Sequence, residues 1–289
     1  MQIQLTPIQE QVLFNPARHK IVAGGERAGK SFLGALHIIV NYLWSDLFWI
    51  VAIDYELTQE EFRFVKDAML GLGSLKSVQQ NLNEPSRLET RNGAVIETRT
   101  AMHPERIAAK APNGIIICEA PLLSYEAFLR SRGRVAEKRG WTYASGSFES
   151  SSGWFADKWR QWQGENDDDG VSFSMPTWSN NFLFPQGESD PEIQALKATY
   201  PPKRFMERFG AVPVAPAGTV FPEFDTKRHK KACSFDSTAP VYLWIDPGSA
   251  HAYAVEVVQI YDGVVYIIDE IYDRNFTHEE VIRRCKERE

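Results

Sequence analysis

Residues 24–31 read Gly-Gly-Glu-Arg-Ala-Gly-Lys-Ser and satisfy the spacing G-x-x-x-x-G-K-[ST]. These residue types suit the grip of a phosphate chain. Gly24, Gly25 and Gly29 permit positive φ, so backbone N–H groups of the loop, including those of Glu26, Arg27 and Ala28, can turn inward toward phosphate oxygens. A helix opening at the end of the loop adds the positive end of its dipole. Lys30 is expected at the β- and γ-phosphates of ATP, and Ser31 on the accompanying Mg²⁺. Arg27 lies inside the loop, close to where γ-phosphate charge is expected.

Phosphate transfer from such a loop needs an acidic strand beside it. Ile115-Ile116-Ile117-Cys118-Glu119 is the candidate. Glu119 stands where a general base that orients water belongs. Cys118 stands where an Mg²⁺-supporting aspartate belongs, and a thiol is a poor partner for an ion that prefers hard oxygen ligands. Two readings stay open: Ser31, phosphates and waters hold Mg²⁺ alone, or the strand is a weakened or engineered site. If the thiol leaves Mg²⁺ undersupported, an aspartate at 118 is expected to tighten it. For transition-state charge, Arg106 in His103–Gly114 is the first candidate arginine and Arg134 the second, each acting from a neighbouring subunit. Gln9, ahead of the first strand, could read adenine through its amide.

These residues need elements to hold them. Residues 19–23 read as a strand running into the glycines. Residues 31–43 carry apolar side chains at 32, 33, 36, 39, 40 and 43, which is helical spacing. Residues 47–53 are continuously apolar, as a strand buried on both faces would be. A helical pattern covers about 58–70, and Asn92-Gly93 sits between two alternating segments within 87–99, a hairpin signal. Strands follow at 115–118 and 141–145. Strands alternating with helices predict an α/β fold, a mostly parallel sheet with helices on both faces. Residues 164–170 are acidic and turn-like, 185–191 read as loop, and 211–222 hold four prolines. Beyond them, strands are predicted at 241–245, 253–261 and 264–271, and Thr277 with Glu280 makes a capping box for a last helix. The expected domains are 1–210, a linker at 211–237, and the incomplete start of a second domain at 238–289.

The 289 residues exceed one comfortable core. No apolar run approaches a membrane span, and no basic-then-apolar leader opens the chain. Cys118, Cys233 and Cys285 form no metal-ligand spacing and fit a reducing compartment. The net charge of −6 argues mildly against a chain coated in nucleic acid. It leaves room for local basic tracks, of which 130–139 and 227–231 are candidates.

Five segments in order resemble the large terminase subunit of tailed bacteriophages: GGERAGKS, IIICEA, TYASGSF at 142–148, RFMERFGAVPVAPAGTVFPEF from Arg204, and LWIDPG from Leu243. The resemblance covers about residues 5–289. It implies a P-loop ATPase of the RecA/ASCE-like class that drives double-stranded DNA into a procapsid in the host cytoplasm. The implied partners are the portal protein, the small terminase subunit and further copies in a ring. Ser145, Gly146 and Ser147 match in position the segment that couples hydrolysis to movement. The resemblance also implies an RNase H-like nuclease, with Asp246 as ligand of a catalytic Mg²⁺ or Mn²⁺. The further acids of that site are expected past Glu289, and the face taken by Glu270 is not decided by its alternation, so this chain is not expected to cut DNA. Two other readings are a helicase-like nucleic-acid-remodelling ATPase and a nucleotide-gated, non-catalytic assembly protein.

Overall fold

The computed structural model describes residues 3–108, 110–148, 153–163, 170–214, 229–233, 235–247, 253–273 and 277–287. The acidic stretch 164–169, residues 215–222 of the proline-rich segment and residues 227–228 of the second basic cluster lie outside these. The chain divides into two compact units, Met1–Thr219 and Val220–Glu289.

The first unit is built on eight strands: β1 (His19–Gly24), β2 (Leu47–Ala52), β3 (Leu75–Gln79), β4 (Arg87–Thr90), β5 (Val95–Thr100), β6 (Gly114–Ile117), β7 (Trp141–Gly146) and β8 (Gly170–Met175). They form one sheet in the order β3-β4-β5-β2-β6-β7-β1-β8. From β5 to β8 all neighbours are parallel, and β4 runs antiparallel to β3 and β5. The helices are α1 (Pro7–Phe14), α2 (Lys30–Asn41), α3 (Gln59–Gly71), α4 (Tyr125–Val135), α5 (Trp154–Gln161), α6 (Pro191–Thr199) and α7 (Pro202–Arg208).

The apolar run of β2 explains the layering. Phe48, Ile50 and Ala52 enter one core with Leu33 of α2 and Phe62 and Val65 of α3. Leu47, Trp49 and Val51 enter the other with Phe128 and Val135 of α4 and Phe155 of α5. Both faces are covered, so the strand shows no apolar–polar alternation. The hairpin joining β4 to β5 turns at Gly93, whose φ of +91° only glycine takes without strain. Sequence periodicity misses β3, a largely exposed edge strand, the strand β8, and the helices α1, α4, α5, α6 and α7. Pro191, read as loop, instead takes the first helical position of α6 after the Asp190 cap, where its missing N–H costs nothing.

A largely buried polar contact joins β1 to α2 beside a smaller cavity. The Nδ1–H of His37 donates to the Leu33 carbonyl at 2.9 Å, and its Nε2 meets Lys20 Nζ at 3.4 Å. Its ring packs 4.8 Å from that of Tyr143. Burial, then the Lys20 charge, pulls the His37 pKa down to about 3, and burial pulls Lys20 down to about 8.

The second unit contains β9 (Val241–Asp246), β10 (Tyr253–Tyr261), β11 (Val264–Asp273) and α8 (His278–Lys286). The strands form an antiparallel meander in the order β11-β10-β9. Asp262 and Gly263, both at positive φ, make the two-residue turn. The capping box of Thr277 and Glu280 opens α8. Tyr253, Val255, Ile271 and Val281 form a small core. Register pairs Asp246 with Ala254, and Glu256 with both Trp244 and Glu270. Glu270 therefore takes the same face as Asp246, opposite Val255 and Ile271.

The buried imidazole makes stability depend on pH in a defined direction. The unfolded ring takes up its proton near pH 6.5 and the folded ring only near 3. The unfolded chain therefore binds the extra proton in that window, and stability falls as pH drops through it. Between pH 7 and pH 5 the His37 contribution is expected to fall by about 2 kcal/mol. Urea midpoints of His37→Phe and the parent chain, compared at both pH values, measure it. Parallel losses in the two chains would contradict the assignment.

Candidate nucleotide site

Parallel strands end together, and ligands of open α/β sheets collect at their carboxyl ends. Here β7 lies between β1 and β6, and register aligns Ala23 with Gly146 and Ile117 with Ala144. The residues that follow these three strands therefore meet at one rim. A cavity of about 840 Å³ opens there, lined in part by Gln9, Glu26, Arg27, Gly29, Lys30, Ser31, Glu119 and Ser147.

The loop between β1 and α2 is tied down on the β8 side. Gly25 N–H donates to the Met175 carbonyl at 2.8 Å, Thr177 Oγ1 donates to the Glu26 carbonyl at 2.7 Å, and Asn180 Nδ2 donates to the Arg27 carbonyl at 2.8 Å. Arg208 pairs with Glu26. Arg27 and Gly29 take left-handed backbone, with φ of +60° and +91°. A Cβ at Gly24 would meet the Lys30 stem, and one at Gly29 would meet Gln9 Nε2. Ala28 is buried and fixes the loop from below.

Lys30 is nearly enclosed. Its ammonium donates to the Gly24 and Gly25 carbonyls at 3.0 Å each and to Ser147 Oγ at 3.2 Å. Ser147 Oγ in turn donates to the Gly24 carbonyl at 2.8 Å. The Tyr143 hydroxyl donates to the Lys30 carbonyl at 3.0 Å. Burial lowers the Lys30 pKa, and the charges of Glu119, Glu26 and Glu61 oppose that shift. Ser145, two residues before Ser147, is buried, and Gly146 leaves no room for a Cβ against Pro121.

Glu119 follows β6 and holds left-handed backbone with φ of +43°. Such a conformation costs a non-glycine residue of order 1–3 kcal/mol and concentrates at functional positions. It places Glu119 among the cavity residues. Cys118 is buried, and burial, followed by the Glu61 charge, pushes its thiol pKa well up. The thiol is therefore neutral.

Sequence reading did not single out Glu61. This carboxylate in the first turn of α3 is 3% exposed and lies close to Ser31 and Cys118. Burial raises its pKa, while the nearby Ser31 hydroxyl, its own backbone N–H and the Cys118 thiol oppose the rise. Its signal was present: Glu61 lies four residues before Val65 on a stripe that continues through Ala68, so it is a charge on a buried helix face. Arg204 and Arg208, four residues apart on α7, also line the cavity and were not singled out.

Other expected residues fall elsewhere. Gln9 lines the cavity, but its Oε1 accepts the Thr6 backbone N–H at 3.0 Å, so only its Nε2 faces outward from the cap of α1. Arg106 lies in a short 3-10 turn, Pro104–Arg106, and its side chain is outside the described residues. Arg134 is exposed on α4 and does not line the cavity. Asp246 is exposed at the end of β9. Among the described residues no group of three or more His, Cys, Asp or Glu side chains is placed to hold a metal ion. Among them, too, no helix is long and apolar enough to cross a membrane.

The arrangement has counterparts among solved structures. The large terminase from a thermophilic bacteriophage, in complex with ADP, aligns over 98% of this chain and 73% of its own, with a TM-score of 0.61 and 13% identity. The ATPase domain of the Thermus phage P74-26 large terminase aligns over 72% of this chain and 93% of its own, at 0.55 and 18%. The chain has the fold of the large terminases. The large terminase of bacteriophage HK97 aligns over 99% of this chain and 66% of its own, at 0.59 and 12%. The terminase solved with ADP has also been solved with ATP-γ-S. At these identities the likeness is one of fold. No protein-family profile matches the chain, and no curated protein does.

The terminase-like loop can be tested without assuming its reaction. A Cβ on Gly25 would collide with Thr177 Oγ1 and the Phe209 carbonyl, and backbone cannot step aside as a flexible side chain could. Gly25→Ala is expected to weaken nucleotide binding by about tenfold or more, a loss of at least ~1.4 kcal/mol. Titration with a fluorescent ATP analogue measures it. Unchanged affinity would show that the loop does not carry the ligand.

Proposed function

We propose that this chain is the ATP-hydrolysing motor subunit of a phage DNA-packaging machine. The observation that carries the reading is the rim where Lys30, Ser31, Glu119 and Ser147 converge on one cavity, within a fold shared with large terminases, one of them solved with ADP and ATP-γ-S.

Each residue has a chemical task in that reading. The loop N–H groups cradle phosphate oxygens, and Lys30 exchanges its carbonyl acceptors for the β- and γ-phosphates. Glu119 orients the attacking water and draws off its proton. Arg27 sits beside developing γ-phosphate charge, and Gln9 offers Nε2 to the base. The oxygen donors beside Ser31 fit Mg²⁺, whereas the neutral Cys118 thiol does not. Ser31 would hold the ion, which supplies neutralisation of phosphate charge when bound. Ser147 touches both Lys30 and Gly24, so a change in what Lys30 grips reaches β7 directly. Ser145, Gly146 and Ser147 are thereby proposed as the coupling segment.

The proposed partners are double-stranded DNA held by its backbone phosphates, a portal protein, a small terminase subunit, and neighbouring copies in a ring in the host cytoplasm. Arg106 from one copy is proposed to serve the site of the next. The domains proposed are an ATPase at 1–210, a linker at 211–237, and an RNase H-like nuclease segment at 238–289. Asp246 is proposed as a nuclease ligand for Mg²⁺ or Mn²⁺. The described residues bring no set of partners around it, and no cleavage step is assigned. A helicase-like reading calls for a second RecA-like half, where the second unit holds an antiparallel meander.

Three experiments test the proposal. Lys30→Ala is expected to abolish ATP turnover with an unchanged circular dichroism spectrum. Glu119→Gln is expected to retain nucleotide affinity while turnover falls by about 10²–10⁴-fold. Equal loss of binding and turnover in Glu119→Gln would assign it a structural role. For the ring, mixing Arg106→Ala with Glu119→Gln chains is expected to restore turnover that neither shows alone. Normal turnover by Arg106→Ala alone would remove Arg106 from the mechanism.

A further inference from the structure

A second cavity, of about 250 Å³, opens where β1 and β7 begin, at the end of the sheet away from the nucleotide rim. Arg18, Lys20, His37 and Arg139 line it with Trp141 and Thr142, and none of its lining residues is acidic. Lys20 is 6% exposed and belongs to the floor, while Arg18 and Arg139 are exposed at the mouth. The neighbouring Lys138 has a carboxylate partner in Asp46. Among the described residues Arg18, Lys20 and Arg139 form no ion pair with a carboxylate.

A structural role accounts poorly for these three cations. Val22, two residues along β1 and so on the same face as Lys20, is part of the apolar core. An apolar residue at 20 would extend that core without burying a charge. The contacts of the Lys20 ammonium are long: the Leu13 carbonyl and His37 Nε2, each at 3.4 Å, past the usual range of about 2.7–3.2 Å. An ammonium has three protons, and these two contacts leave one for the cavity. Burial alone lowers the Lys20 pKa, and no carboxylate opposes it. The Arg18 guanidinium donates through Nε and Nη2 to the Gly140 carbonyl at 3.1 and 3.0 Å, which fixes its plane and uses only part of its five donors. Arg139 holds left-handed backbone, with φ of +47°, in the turn that ends α4. Glycine is the ordinary residue at such a place, and arginine accepts strain there.

We propose that this cavity is a second oxyanion site, in which Lys20, Arg18 and Arg139 take one phosphate group at the opposite end of the sheet from the nucleotide. Three cations without a counter-ion repel one another, and a single tetrahedral anion between them relieves all three. Guanidinium forks match pairs of phosphate oxygens, and the ammonium adds a point charge. The volume is below the about 300–1,000 Å³ of sites for whole small molecules, so it suits one phosphate group and not a nucleotide. Two sources carry that group, a free phosphate ion and the backbone of DNA. The site shares no residue with the nucleotide cavity, so it stands whether or not residues 24–31 bind nucleotide.

The test is calorimetric titration of inorganic phosphate into the Lys30→Ala chain, whose phosphate loop lacks its ammonium, at an ionic strength held constant with chloride. One site is expected, and sulfate is expected to compete for it. Lys20→Met, Arg18→Gln and Arg139→Gly, each added to that chain, are expected to weaken phosphate by about tenfold or more. Far-UV circular dichroism and melting temperature are followed alongside. Arg139→Gly removes a guanidinium and relieves left-handed strain together, so it is expected to fold and decides the matter if Lys20→Met does not. A short DNA duplex separates the two sources. If backbone phosphate is the occupant, the duplex displaces inorganic phosphate and the same substitutions weaken duplex binding. If free phosphate is the occupant, duplex affinity is the same in all four chains. Either result supports the site. Phosphate affinity unchanged in Arg139→Gly, or in folded Lys20→Met, overturns it. So does the absence of phosphate binding together with duplex affinity that no substitution alters.

Discussion

One buried ammonium ties the nucleotide site together. Lys30 begins α2, and its side chain folds back over the end of β1 to two loop carbonyls and across to Ser147 after β7. A charged donor inside protein is stable only when its protons are all placed. Three oxygen acceptors meet that demand, and they come from two strands that are parallel neighbours. The loop, the helix start and the end of β7 are therefore held as one object. The sheet beneath exists in this geometry because β7 lies between β1 and β6, bringing Ser147 and Glu119 to the same rim.

The electrostatics around that ammonium are unevenly divided. Glu26 lies on the outer wall, paired with Arg208 of α7, which closes the cavity from the β8 side. Glu119 occupies the inner wall on left-handed backbone. Glu61 is buried in the first turn of α3 and is not among the residues that line the cavity. Lys30 thus faces three carboxylates at different depths, and all three oppose the effect of its burial on its pKa.

The second unit is constructed on different terms. A tight turn joins β10 to β11, and among the described residues these strands and α8 share a core of a few side chains. Every residue of β9 is exposed within the structure. Its acids Asp246, Glu256 and Glu270 share a sheet face by register, yet no three acidic, His or Cys side chains among the described residues are placed for a metal. Sharing a face and converging on an ion are separate requirements, because strand neighbours spread side chains along a surface while an ion demands that they point inward.

The sequence by itself determined the parts governed by local chemistry. The spacing of Gly24, Gly29, Lys30 and Ser31 dictates a glycine turn that runs into a helix start, because backbone freedom and a helix start are properties of contiguous residues. The apolar run of β2, the Asn92-Gly93 turn and the Thr277–Glu280 cap are local for the same reason. Tertiary structure decided the rest. Glu61 reads in sequence as one of several acids on a helix; only the packing of α3 over the sheet buries it while leaving Glu60 outside. Arg204 and Arg208 become cavity residues only once β8 pairs with β1. The face of Glu270 was undecided in the sequence, since a strand's period of two fixes alternation and leaves to its partners which side is in.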